Sequence, residues 1–208
     1  MSPQTIIVVL SVFLVGWYVA GHAWNLRRGR RFRGWLDDGL DVFGGQVEAG
    51  WIGTAASGAR FNVRRARAPF KKLEITLLLA NREIPLLWVV DHLRGKRDRC
   101  IIRGTLRSPH RGEVLVHRIR RSKRQGEPWT HQEGPCGLTV SCRGCTGERL
   151  VTALTPFVQS YGAHLDRFHW RNQDPHVDIQ LSIAGLVEID AYGCFADLSA
   201  ALQAGRQV

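Results

Sequence analysis

Four residues able to bind a metal or carry redox chemistry fall within fifteen positions: His131, Cys136, Cys142 and Cys145. Thiolates and imidazoles are the usual ligands of tetrahedral zinc, and Cys142 and Cys145 have the CxxC spacing shared by zinc sites and redox dithiols. Two features argue against either use. The interval from His131 through Cys136 to Cys142 matches no familiar ligand pattern, and a thioredoxin-like dithiol should open a helix directly after the first strand of a βαβ context. Cys142 also alternates in phase with Leu138 and Val140, the inward side of a strand, where cysteine behaves as a small hydrophobe. No metal site and no cofactor are expected.

Histidine offers the next chemistry. Of the eight histidines, His164, His169 and His176 lie among Asp166, Asp174 and Asp178, and alternation would bring some of them to one exposed sheet face. Neighbours of this kind can act as general acid and base. However, no Ser or Cys nucleophile sits in a recognisable turn, no Gly-rich phosphate loop follows a strand, and no helix carries a paired His. Polar positions on the open face of a half-buried antiparallel sheet look the same, so no enzyme is expected.

The third signal is charge. The net charge of +11 is concentrated in residues 91–124, where twelve Lys and Arg face three Asp and Glu, while residues 125–208 carry five cations against nine acids. Arg94, Lys96, Arg97, Arg103, Arg107, Arg118, Arg120 and Arg121 are the candidates for binding an anionic partner. A nucleic-acid-reading sheet wants aromatics on which bases stack, and residues 94–124 contain none. Anionic headgroups or an acidic protein are therefore preferred to nucleic acid.

These residues have to be positioned by what precedes them. Residues 1–26 contain no Lys, Arg, Asp or Glu, and Thr5 to Trp24 as a helix is long enough to cross the ~30 Å hydrocarbon layer. Arg27, Arg28, Arg30, Arg31 and Arg33 follow at once, which places this end in the cytoplasm by the positive-inside bias. A secretory signal peptide has its charge before a shorter apolar run, so cleavage is not expected. Trp17, Tyr18, Trp24 and Trp35 join the arginines as candidate membrane-interface residues. Gly16 and Ala20, four apart, could admit a second helix. Five cysteines without regular spacing suit a reducing compartment.

Beyond the span, Phe32, Trp35, Leu36, Leu40 and Phe43 recur at helical spacing, as in an amphipathic helix lying on the membrane or folded against a domain. The glycines between Gly44 and Gly58 read as a flexible neck or irregular lead-in. The order strand, helix, strand, strand then occurs twice. The first pass has inward Leu73, Ile75 and Leu77, a helix buried through Leu86, Val89, Val90 and Leu93, and strands at 100–107 and 113–120. The second has inward Leu138, Val140 and Cys142, a helix buried through Leu150, Val151, Leu154, Val158 and Tyr161, and strands at 164–171 and 176–183. Leu73 and Leu138 are 65 positions apart, and Pro109 and Pro175 are 66 apart.

The expected fold is α+β: a single N-terminal transmembrane helix, then a cytoplasmic antiparallel sheet with helices on one face, built as a duplicated β-α-β-β unit. Residues 1–26 form the anchor, 27–58 a basic juxtamembrane segment and Gly-rich neck, 59–124 the first unit, 125–136 a loop, and 137–208 the second unit with a C-terminal helix. The expected location is a bacterial inner membrane, N-terminus outside. The expected role is an interaction or assembly module, as an accessory subunit of a membrane complex, whose partners are headgroups and an acidic protein or a second copy. A membrane-tethered nucleic-acid binder is the competing reading, with a zinc-binding or enzymatic domain behind it.

Overall fold

The structure is a computed structural model and describes residues 2–108, 112–118, 129–144 and 146–205. Expectations that fall on Pro109, Arg120, Arg121 and Cys145 lie outside these residues.

A single helix, α1 (Pro3–Leu40), carries both the apolar stretch and the amphipathic one. Its first half stands clear of the protein, with Ile7 and Val15 more than 60% exposed. In its second half Phe32, Trp35, Leu36 and Leu40 are buried, so this segment folds against the domain. Removing such a side chain from water is worth about 1.5 to 3 kcal/mol each. Trp35, expected at the membrane interface, is instead a core residue: its ring lies 5.3 Å from that of Phe195 and its Nε1 donates to the Ile189 carbonyl at 2.8 Å. Helical phase puts it on the stripe of Phe32 and Leu36, and that stripe faces the core.

Among the described residues nine strands follow with three further α-helices: β1 (Gln46–Trp51), β2 (Gly58–Arg64), β3 (Phe70–Leu78), α2 (Pro85–Leu93), β4 (Arg99–Leu106), β5 (Glu113–Arg118), β6 (Thr130–Glu133), β7 (Leu138–Arg143), α3 (Gly147–Tyr161), β8 (Leu165–Trp170), β9 (Val177–Ser182) and α4 (Ala191–Ala204). They form one sheet in the order β1-β2-β3-β4-β9-β8-β5-β7-β6, every described pairing antiparallel. Inward residues alternate as expected: Leu73, Ile75 and Leu77, Leu138, Val140 and Cys142, and Val177, Ile179 and Leu181 are all buried. This face is covered by the second half of α1, by α3 and by α4. Among the described residues no helix lies over the other face.

Two readings of the sequence are corrected here. The glycine-rich stretch is no neck, because β1 and β2 pair from Gln46 opposite Arg64 to Trp51 opposite Ala59. All six residues of β1 are exposed, so this edge strand has no inside and outside to write into an alternation. Thr130 to Glu133, expected as loop, likewise pairs at the opposite edge as β6.

The helix of the first pass does not cover the sheet either. None of the residues of α2 is buried, and Leu86 and Leu93, expected inside, are 73% and 81% exposed. Topology explains this. β3 and β4 are antiparallel neighbours, so α2 is an excursion between two hairpin strands and no crossover is required. β7 and β8 both run antiparallel to β5, which lies between them, and α3 must therefore cross the sheet. The order strand, helix, strand, strand recurs along the chain, but the two passes are paired differently.

Candidate functional site

The end of the sheet at which β3 finishes and β4 begins is where the chain concentrates its unusual polar contacts. Three elements meet there: α1 just past its apolar stretch, the loop joining β1 to β2, and the excursion from Leu79 to Asp98 that carries α2.

Asn25 is the hub. It is 1% exposed, and its Nδ2 donates to the carbonyls of Ala56 and Ala80, both at 3.0 Å, while Oδ1 accepts from the Arg82 guanidinium at 2.9 Å. An unpaired amide here would cost about 1 to 3 kcal/mol, so the bonds fix the distance between helix and loops. Arg82 continues into a bidentate pair with Asp98, both contacts 2.9 Å. Arg28 reaches the same carboxylate at 2.5 Å and the Ala80 N–H donates to it at 2.8 Å. With its side chain 3% exposed, Asp98 is a buried anion held by two guanidinium groups, the arrangement that burial of a charge demands.

Closer to the N-terminus, Trp17 Nε1 donates to the Arg82 carbonyl at 3.0 Å, and the Trp17 and Trp88 rings lie 5.7 Å apart. His22 Nδ1 and Glu83 Oε1 are 2.8 Å apart. Gly21 permits this approach: a Cβ added there would collide with the Arg82 carbonyl, whereas one added at Gly16 would meet nothing within 4 Å. Only a residue without a side chain lets the loop backbone come so near. On the β1 side a cleft of about 400 Å³ opens between Leu26, Gly29 and Arg30 of α1 and Trp51, Phe61 and Leu77 of the sheet.

The structure distributes the candidate interface and anionic-partner residues unevenly. Tyr18 and Trp24 are exposed at 50% and 59%, and Arg27, Arg30, Arg31 and Arg33 also face outward. Arg94, Lys96 and Arg97 lie in the loop after α2, beside Asp98, with Lys96 paired to Asp91 at 2.7 Å. Arg118 ends β5 at the same end of the sheet, where its guanidinium donates to the carbonyls of Gly162 and Ala163 after α3. Arg107 is at the opposite end, donating to the Ala66 and Phe70 carbonyls. Arg103 stands opposite Asp178 in the pairing of β4 with β9. The basic stretch thus forms no single patch among the described residues.

The uncovered sheet face gathers part of the histidine set. His169 Nε2 lies 2.5 Å from Glu113 Oε1, and Arg167 approaches Nδ1 at 3.2 Å. A donor at Nδ1 leaves Nε2 to carry the proton. Burial lowers the His169 pKa, against the opposing hydrogen bond and charge of Glu113. His117 is lowered as well, by burial and then by His131 and Arg167. Asp178 faces His169 across β8 and β9. His117 Nδ1 and Asp178 Oδ1 are buried without a hydrogen-bond partner. The remaining histidines do structural work: His176 Nδ1 accepts from the Leu106 N–H at 3.1 Å, and His164 Nδ1 lies 3.2 Å from the Ala184 carbonyl.

The candidate zinc ligands His131, Cys136 and Cys142 do not converge. His131 Nδ1 is 2.7 Å from Ser141 Oγ, on the open face, while Cys142 is the next residue along β7 and points into the core. Cys136 is exposed. Among the described residues no group of three His, Cys, Asp or Glu is placed to hold a metal.

Sequence reasoning missed Gly21, Asn25, Arg82 and Asp98. One signal was present, since Asp98 is the only acid between Arg94 and Gly112. No protein-family model matches the chain, and no curated protein matches it in sequence.

Proposed function

We propose that this protein is a single-pass membrane protein whose cytoplasmic domain is an interaction module, held at a fixed attitude to the bilayer and offering its uncovered sheet face to a protein partner. The apolar, exposed first half of α1 is long enough to cross a membrane, and the arginines from Arg27 to Arg33 favour an N-terminus outside. The Asn25 and Asp98 contacts tie the domain to that helix at its base. This is a mounting rather than a tether.

The observation that carries the partner is the open face. His117 Nδ1 and Asp178 Oδ1 are buried there without hydrogen bonds, and such groups stay costly until something pairs with them. On the same face Lys72 and Arg103 point outward on β3 and β4, while Arg60 and Arg64 of β2 pair with Glu74 and Glu48; Lys72 and Arg103 favour an acidic surface on the partner. The companion lies at the membrane, and the protein serves as an accessory subunit of a larger complex.

The test is cross-linking of the full-length protein in native membranes, followed by purification in mild detergent and mass spectrometry. A stoichiometric partner linked to residues of β2, β3, β4 or β9, and lost on Lys72→Glu with Arg103→Glu, is the expected result. Recovery of the chain alone, or partners linked only through α1, would remove the open face as the docking surface.

A further inference from the structure

We propose that α2 is a second membrane element, lying in the headgroup and upper acyl layer of the cytoplasmic leaflet with its apolar side in lipid. The inference rests on the reading of α1 as a membrane span.

The sequence of α2, PLLWVVDHL, has the apolar content of a core helix, yet it packs on no sheet. Leu86, Leu87, Val89 and Leu93 are 73%, 45%, 43% and 81% exposed, and Ile84 just before the helix is 47% exposed. A soluble domain has no reason to place such a row in water. The depth of the helix supplies the reason. Trp88 of α2 packs on Trp17 of α1, and Trp17 precedes Arg27 by ten residues, about 15 Å along a helix. Trp24, still within the apolar stretch, is about 10 Å nearer the domain than Trp17. If Thr5 to Trp24 lie in the bilayer, a helix fastened beside Trp17 is at membrane depth as well. Interfacial helices sink about 5 to 10 Å below the headgroups, which is where this contact puts α2.

Chemistry at either end of α2 agrees. Phe13, Trp17 and Trp88 form an aromatic cluster, and such rings suit the boundary between headgroups and acyl chains. Exposed Arg94, Lys96 and Arg97 follow the helix immediately and suit anionic lipid. The polar residues between them are not stranded in lipid, because Asp91 pairs with Lys96 and Glu83 meets His22. The occupant of the apolar row is therefore the bilayer itself.

The experiment uses the full chain with the exposed Cys136, and also Cys145, replaced by serine, reconstituted in vesicles of phosphatidylcholine and phosphatidylglycerol. An environment-sensitive fluorophore is placed through Leu86→Cys, Leu93→Cys, Val12→Cys in the apolar half of α1, or Lys71→Cys at the far end of the sheet. Lipids brominated just below the headgroup should remove about half of the emission at positions 86 and 93. Deeply brominated lipids should quench position 12, and neither should quench position 71. Quenching at 12 with none at 86 and 93 would overturn the proposal while leaving the span intact, and a blue-shifted but unquenched label at 86 would point to a protein covering α2. No quenching at 12 would instead overturn the span on which the proposal stands.

Discussion

The helices α2 and α3 follow the first strand of their respective passes, each contains a proline, and each is written with apolar residues at helical spacing. Yet α3 buries Leu150, Leu154, Phe157, Val158 and Tyr161, and α2 buries nothing. The difference lies in the strands they connect. A helix joining parallel strands must return across the sheet, while one joining antiparallel neighbours is free to leave it. Apolar periodicity states only that a helix has a side averse to water; whether that side meets a core or some other apolar phase is decided by the wiring.

Substitutions can break this contrast. Phe157→Ala on α3 should cost about 3 to 5 kcal/mol of stability, measured by chemical denaturation in detergent, whereas Leu86→Ala on α2 should fall within about 0.5 kcal/mol. Equal costs would erase the distinction. Asp98→Asn leaves two guanidinium groups facing a neutral amide and should lose about 1.5 to 3 kcal/mol. It should also bring proteolytic cutting into residues 79–98 before the rest of the domain is attacked, which separates the α2 excursion from the core beneath α3. Gly21→Ala should cost about 1 to 3 kcal/mol, because the methyl group meets backbone that cannot swing aside. Gly16→Ala should instead stabilise the helix by about 0.5 to 1 kcal/mol, so opposite signs are expected from one substitution made twice in α1.

The smallest effect concerns pH. His169 lies behind the half of the sheet that α3 covers, and its pKa is lowered from the ordinary 6.5 by burial. The unfolded chain then binds more protons than the folded one in this range. Stability is complete above the unfolded value and declines as pH falls from it towards the folded one. His169→Gln should flatten that decline in a denaturation series, with His117, lowered mainly by burial, contributing in the same sense.

Much of this was legible because it is local. Alternation at Leu73, Ile75 and Leu77 or at Val177, Ile179 and Leu181 reports a strand with one wet side, and the apolar run before Arg27 needs no partner to be recognised. The exposed face of α2 was not legible, since its residues have the spacing of a buried helix and only the β3 to β4 pairing shows that no sheet lies beneath. Trp35 was misplaced for a related reason: a tryptophan near arginines fits a headgroup layer and a core equally well by type. The polar hub was hidden by distance, because Arg28 and Asp98 are 70 residues apart. A lone acid in a basic run nevertheless signals a demand for pairing, and Asp98 meets it.

Because α1 runs from Pro3 to Leu40 as one helix, the domain has no swivel between itself and the exposed apolar half of that helix. Rotation about the long axis is then shared: an apolar half that turns carries the sheet with it, and a single residue inserted among Val12 to Gly16 would advance the first turns by about 100° relative to everything downstream. Under the proposed function, face selection by a neighbouring span and face selection by a companion of the domain become one angular variable, set by the phase of a rigid shaft.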